Sequence, residues 1–248
     1  ASAGSFPEVT AEAMADAASE TAPTENLQRP AWIFGIGGVA PGTVSGDARL
    51  KLAHAIASAV TSGKLPAEAL GVAFREGMTA REAWATIDLQ AEPFDPCSPE
   101  CLARVEKTGR DTAFALMDFL RADLEGFENS FLSATPARAG IRESRRIVGL
   151  SQLTEQDILA GKDSSEAAAY ASWPLELREN AKGPRFHFPE NNRSAAISHG
   201  CLRARDFTNL FMAGRCLSAT HGAQASIRVT GTCMATGEAA GKAAAQMP

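Results

Sequence analysis

The chain has 248 residues, 45% of them hydrophobic and 21% charged, with a formal net charge of −5. That is enough apolar material for a sizeable core in one to two domains, and the interspersed charge signs argue against nucleic acid as a partner. No apolar run approaches the roughly 20 residues of a membrane-spanning helix, no basic segment leading into an apolar stretch marks an export signal, and five cysteines make no disulfide scaffold, which leaves reduced thiols.

Residues 1–30 are rich in Ala, Ser, Thr and Glu and poor in large apolar side chains. That is the composition of a surface or partner-wrapping arm, with Thr10 capping a short helix over 11–19. A strand is expected from Ala31 to Val39. It contains Gly35-Ile36-Gly37-Gly38-Val39-Ala40, the one segment resembling a dinucleotide-binding glycine turn. Pro41 and Gly42 follow and block the helix such a turn must open, and no strand with an acidic end comes after it at the required distance. A strand is therefore preferred there to a dinucleotide unit.

Asp47 caps a predicted helix to about Thr61, with Leu50, His54, Ala57 and Val60 as its apolar stripe and Gly63 ending it. Residues 70–75 and 83–89 alternate as strands and form a hairpin around Glu76-Gly77-Met78; a short helix capped at Thr79 and Glu82 is the rival. Ser98 with Pro99 opens the longest helix, to about Leu124, with Gly126 beyond it. Strands are expected at 131–135 and 140–150, a helix from Thr154, irregular chain after Gly161, and strands at 197–202 and 210–212.

The segment from Ile141 to Gly149 is densely cationic. As a strand it would place Arg142, Ser144 and Arg146 on one face, a pair of guanidiniums suited to a carboxylate-bearing substrate; an ion-pair network with Glu143 or another acid is the alternative. Cys97 and Cys101 share helical spacing, yet no second pair or histidine completes a metal site. His54, His187 and His199 have no partner pattern and read as structural.

The last forty residues carry most of the chemistry. Leu210-Phe211-Met212-Ala213 ends in Gly214-Arg215, a polar loop follows, and Thr230-Gly231-Thr232-Cys233 leads into a helix made almost wholly of Ala and Gly. So little side chain implies close approach to the helix backbone. A glycine turn beside a helix N-terminus makes an anion cradle, because free N–H groups and the helix dipole converge there.

Ala213-Gly214-Arg215-Cys216, Ser218-Ala219-Thr220-His221, Ser226-Ile227-Arg228-Val229 and Thr232-Cys233-Met234-Ala235-Thr236-Gly237-Glu238-Ala239-Ala240-Gly241 together resemble the closing segment of FAD-dependent oxidoreductases of the glutathione-reductase-like superfamily. The run from Arg142 to Gly149 is similar to the same family. The resemblance implies an α/β protein: an N-terminal arm over 1–30, an α+β substrate domain over 31–205, and over 206–248 the C-terminal strand and helix of a three-layer FAD-binding domain.

It further implies FAD as cofactor, held by Gly214, Arg215, Thr220, Ser226, Arg228, Thr232, Cys233 and Met234, with the helix start near Cys233 and Met234 facing the flavin. Hydride would pass from a small carboxylate-bearing or polar substrate to flavin N5. Arg142 and Arg146 would orient that substrate and His221 would manage a proton. Cys216 and Cys233 are expected to be small packed residues, and no metal is expected. The family's ADP-binding βαβ unit has no counterpart in the sequence, so a second polypeptide is expected to carry it; a non-catalytic subunit that scaffolds a flavoprotein is the alternative.

Two departures bear on substrate and chemistry. Gly222 and Gln224 stand where the family pattern has Glu and a second His, and Glu176 and Arg178 replace its Asp and His.

Overall fold

The computed structural model describes residues 27–90, 94–180 and 183–247. The expected N-terminal arm and the helix capped by Thr10 lie almost wholly outside them. The chain divides into two compact units, Thr24–Glu143 with Arg178–Arg185, and Ser144–Leu177 with Phe186–Pro248. Helices and strands are mixed throughout, as expected of an α/β protein.

In the first, the sheet unit, four strands take the order β2-β3-β1-β4, with β1 Ala31–Gly37, β2 Ala73–Glu76, β3 Glu82–Asp88 and β4 Phe131–Ala134. Every pairing is antiparallel. β1 is therefore the centre of an antiparallel sheet, and the glycines at its end open no dinucleotide-binding helix. The expected hairpin is present as β2 and β3, with Ala73 opposite Thr86 and Glu76 opposite Ala83. Glu82 does accept the Thr79 N–H, at 3.3 Å, as the rival helix cap required, but the bond closes the hairpin turn.

One face of this sheet is the core. Trp32, Phe34, Ile36, Ala85 and Ile87 alternate inward and are almost fully buried. The long helix packs on that face at Trp32, where a Cβ added to Gly109 would lie 2.7 Å from the indole ring.

Among the described residues two α-helices belong to this unit. The first, α1 (Ala48–Thr61), buries Leu52, Ile56 and Ala59, while Leu50 and His54 are exposed. The expected stripe is thus displaced: two rows share helical spacing, and the one with larger apolar side chains goes inward. In α2 (Pro99–Asp123) the Ser98 hydroxyl accepts the Cys101 N–H at 3.1 Å, and Val105, Thr112, Leu116, Phe119 and Leu120 are buried.

The C-terminal unit is built on α3 (Glu155–Leu159), β5 (Ala167–Ala171), β6 (Leu175–Leu177), β7 (Arg185–His187), β8 (Ala195–Ser198), α4 (His199–Leu202), α5 (His221–Ile227) and α6 (Thr230–Ala245). β5 pairs with β8 and β6 with β7; Arg185 of β7 is assigned to the sheet unit. Thr154 and Asp157 close a capping box on α3. Burial raises the Asp157 carboxyl, but hydrogen bonds from the Lys162 ammonium and Thr154 outweigh it and hold the group below its usual range.

Several sequence expectations change here. β5, β6 and β7 lie in the stretch expected to be irregular; two of them have only three residues, too few for a readable period. Residues 140–150 form no strand, only isolated bridges, among them Gly140 to Ala31 and Gly149 to Ala204. The strand expected at 197–202 stops at Ser198 and turns helical at His199, with Gly200 packed where a Cβ would be 2.6 Å from the Ser151 hydroxyl. Leu210–Met212 reduces to a single bridge between Arg203 and Phe211.

Packing at Gly109 is directly testable. Gly109→Ala adds helix propensity of about 1 kcal/mol, but the new methyl group would meet the buried Trp32 ring, and overpacking costs about 1–3 kcal/mol. A lower urea midpoint at unchanged m-value is expected; a raised midpoint would show that the ring yields freely.

Candidate functional site

The C-terminal unit assembles its site from a turn and a helix end. A 3-10 turn, Gly214–Cys216, packs on α6. Gly214 has φ of +64°, and a Cβ there would lie 3.1 Å from the Cys233 sulfur. Its N–H donates to Thr236 Oγ1 at 3.0 Å, and the Thr236 hydroxyl donates to the Thr232 carbonyl at 2.8 Å. The turn is thereby fixed against the first two turns of α6.

That helix begins at Thr230, three residues before the Cys233 start expected from sequence. The Cys233 N–H is already used, donating to the Val229 carbonyl at 3.0 Å. The open donors are those of Thr230, Gly231 and Thr232. No side chain caps them, Thr230 and Gly231 are exposed, and a Cβ on Gly231 meets nothing within 4 Å. By contrast α2, α3 and α5 are capped by Ser98, Thr154 and Thr220.

Positive charge gathers at the same end. Burial raises the Cys233 thiol above its ordinary range, against the opposing effect of Arg215 and Arg228, whose charges are felt at the sulfur. Arg228 follows the last residue of α5 and donates from Nη2 to the Glu176 carbonyl oxygen at 3.1 Å. The Trp173 indole N–H donates to Glu176 Oε2 at 2.9 Å, and the buried Ser226 hydroxyl donates to the Trp173 carbonyl at 2.5 Å. Arg146 is buried, and the next residue, Ile147, donates its N–H to the Cys216 carbonyl at 3.0 Å. Sequence reasoning missed that α5 exists at all: from Gly222 to Ile227 it is buried on every side, so it has no polar face to betray its period.

The residues are an anion cradle by chemistry: three uncapped N–H groups at the positive end of a 16-residue helix, a glycine turn and two guanidiniums. A model of the FAD-dependent oxidoreductase family matches residues 13–247. The chain belongs to that family. FAD is accordingly its cofactor, and the donor set at the cradle suits the anionic parts of that group. Comparison with curated proteins and with solved structures finds no match.

Not every expected site residue of this oxidoreductase joins the cradle. Gly214, Arg215, Arg228, Thr232 and Cys233 do. Met234 is exposed on α6, and Ser226 spends its hydroxyl on Trp173. Thr220 caps α5, accepting from Ala223 and Glu155 N–H groups at 3.3 and 3.1 Å. His221 is the first residue of α5, half-buried, and Arg228 lies beyond the other end, about 10 Å along the axis at 1.5 Å per residue.

Arg142 belongs to the sheet unit. Its Nη2 lies 2.8 Å from Asp88 Oδ1, and its Nη1 donates to the Arg29 carbonyl at 2.6 Å. Arg178 Nη1 donates to the other Asp88 oxygen at 2.7 Å. This is the ion-pair network that the sequence left open as an alternative, with Asp88 as an acid distant in sequence. Glu143 is buried and accepts the Gln28 N–H at 2.9 Å.

Two hollows, of about 440 Å³ beside Ala40, Leu52 and Phe127 and about 620 Å³ beside Leu150, Phe211 and Met247, are lined by none of the cradle residues. Among the described residues no cluster of His, Cys, Asp or Glu could hold a metal ion, and no helix is long and apolar enough to cross a membrane.

Two outcomes check this geometry. Arg142→Ala leaves the buried Asp88 with one ionic partner fewer and is expected to destabilise the protein by about 2–3 kcal/mol in urea titration. Because burial raises the Cys233 thiol, its alkylation by iodoacetamide, followed by peptide mass spectrometry, should still be accelerating above the pH at which an ordinary thiol has become fully ionised.

Proposed function

We propose that the chain contributes the flavin-ring cradle and a substrate-binding region of an FAD-dependent dehydrogenase, and that a second polypeptide carries the ADP-binding βαβ unit. The observation that carries the reading is the uncapped start of α6 beside Gly214–Arg215, with Arg215 and Arg228 at the same helix end. Bound there, FAD supplies the hydride acceptor for a small carboxylate-bearing or polar substrate. The chain's own groups do the rest.

The open N–H groups of Thr230, Gly231 and Thr232 and the two guanidiniums hold negative charge, and the helix dipole favours charge that develops on a ligand at that end. Glu176 holds Arg228 in place. His221 is assigned the proton, and Arg146, buried next to Ile147, which bonds the Gly214–Cys216 turn, the substrate acid; Arg142 acts through the Asp88 network. A second polypeptide is supported by α6 itself. Gly237 and Gly241 are exposed, with nothing within 4 Å of an added Cβ, so another backbone could pack there closely.

Thr230→Asp tests the cradle with opposite signs in two measurements. An acid in the first turn complements the dipole and should raise stability by about 0.3–1 kcal/mol. The same charge in an anion site should weaken FAD binding by roughly tenfold or more, since near-surface charges at contact interact by about 4 kcal/mol. FAD retained at wild-type affinity by the purified, intact material would refute the reading. Unchanged turnover in that variant and in His221→Gln would favour a scaffold subunit instead.

A further inference from the structure

The hollow of about 440 Å³ in the sheet unit lies where three element ends meet: the turn after β1, the first turn of α1 and the residues that follow α2. Two of these are locked together. The Ala40 N–H donates to the Gly126 carbonyl at 2.8 Å, and the Thr43 hydroxyl and N–H both donate to the Ala40 carbonyl, at 2.7 and 3.3 Å. Gly126 has φ of +88°, and a Cβ there would lie 2.4 Å from the Thr43 hydroxyl. The wall is thus tightly interlocked, and the space beside it is already formed. Its volume falls within the roughly 300–1,000 Å³ of small-molecule sites.

The floor of the hollow is apolar. Leu52 and Phe127 are buried and Leu124 is half-buried, and all three line it. Such a floor favours a ligand with a hydrocarbon body.

Two opposite charges border the same space. Lys51 precedes Leu52 on α1, and Glu125 follows Leu124 just beyond α2. Both are exposed, and among the described residues neither makes an ion pair or a side-chain hydrogen bond, with the other or with any third group. They share a hollow yet stand too far apart to neutralise each other. A ligand that is only an anion gains from Lys51 and is repelled by Glu125; one that is only a cation meets the reverse. A ligand carrying both charges close together, on an apolar body, is attracted at both ends.

We infer that this hollow binds an apolar α-amino acid as its zwitterion, the carboxylate on Lys51, the ammonium on Glu125 and the side chain over Leu52, Leu124 and Phe127. No cradle residue lines the hollow, so the inference stands apart from the flavin reading.

L-Phenylalanine is the probe, titrated into the purified protein by ligand-observed NMR. 2-Phenylethylamine, which lacks the carboxylate, and 3-phenylpropanoate, which lacks the ammonium, are its singly charged counterparts. L-Phenylalanine is expected to bind more tightly than either. Lys51→Gln should weaken it about fivefold, the upper range for an exposed ion pair, and should not weaken 2-phenylethylamine. Glu125→Gln should weaken it by the same factor and should not weaken 3-phenylpropanoate. Both side chains are exposed and carry no partner, so both variants are expected to fold. Absence of L-phenylalanine binding, a singly charged analogue bound as tightly as the zwitterion, or unaltered affinity in either variant would each overturn the proposal. FAD content measured on the same samples separates the two readings: flavin retained without L-phenylalanine binding sinks this site alone.

Discussion

The hydroxyl of Thr236 is the point on which the C-terminal unit turns. Gly214 adopts a left-handed conformation that only glycine takes at little cost, and its buried N–H would be an unsatisfied donor without a partner. Thr236 supplies that partner while its own proton goes to the Thr232 carbonyl. One small side chain thus satisfies the turn from inside the helix and leaves no volume between them. A larger residue at 236 would push the turn away; an apolar one would orphan the Gly214 donor. Arg215 follows Gly214, so the position of its guanidinium near Cys233 is inherited from this bond.

The same economy runs along α6. Thr232, Thr236, Ala239 and Ala240 form its buried side, spaced four, three and one residues apart, and they pack against β5, itself mostly alanine. Small residues facing small residues bring backbones close but bury little area per residue, so the contact is tight rather than strongly stabilising. Glycines at 231, 237 and 241 each cost about 1 kcal/mol of helix propensity relative to alanine. Nothing in the described residues uses the space they leave. A helix with interior glycines on an open side is under a local penalty, and such penalties collect where a ligand or partner must approach.

How much of this was visible in the chain depends on where each signal resides. Ser98 with Pro99, and Thr154, mark helix starts where side-chain hydrogen bonds act within four residues, and both helices begin where expected. The β2–β3 hairpin was legible because its strands alternate around a compact turn. Residues 140–150 misled because, read as a strand, the cationic run places Arg142, Ser144 and Arg146 on one face, while the structure pairs Arg142 with Asp88, a partner distant in sequence. No local rule contains that partner. The start of α6 slipped by three residues because Thr230 and Gly231 are poor helix formers.

The two departures at 176 and 178 show how a local change is absorbed by distant charges. Each sits one residue from Leu177, and each enters a different network. Glu176 lies buried against Trp173 and Arg228, an indole N–H and a guanidinium that between them neutralise its charge. Arg178 reaches Asp88 and shares that carboxylate with Arg142. Aspartate at 176 would be one methylene shorter on the side where Arg228 Nη2 already stands 3.9 Å from Glu176 Oε1. Histidine at 178 could not make a guanidinium's contact with Asp88 while its own N–H remains fixed on Gln28. Glu176 therefore belongs with Arg228 and the cradle, and Arg178 with Asp88 and the sheet unit. A substitution at either position changes one of these two surfaces through its own charge partner, which is why the pair must be considered as two sites rather than as one motif.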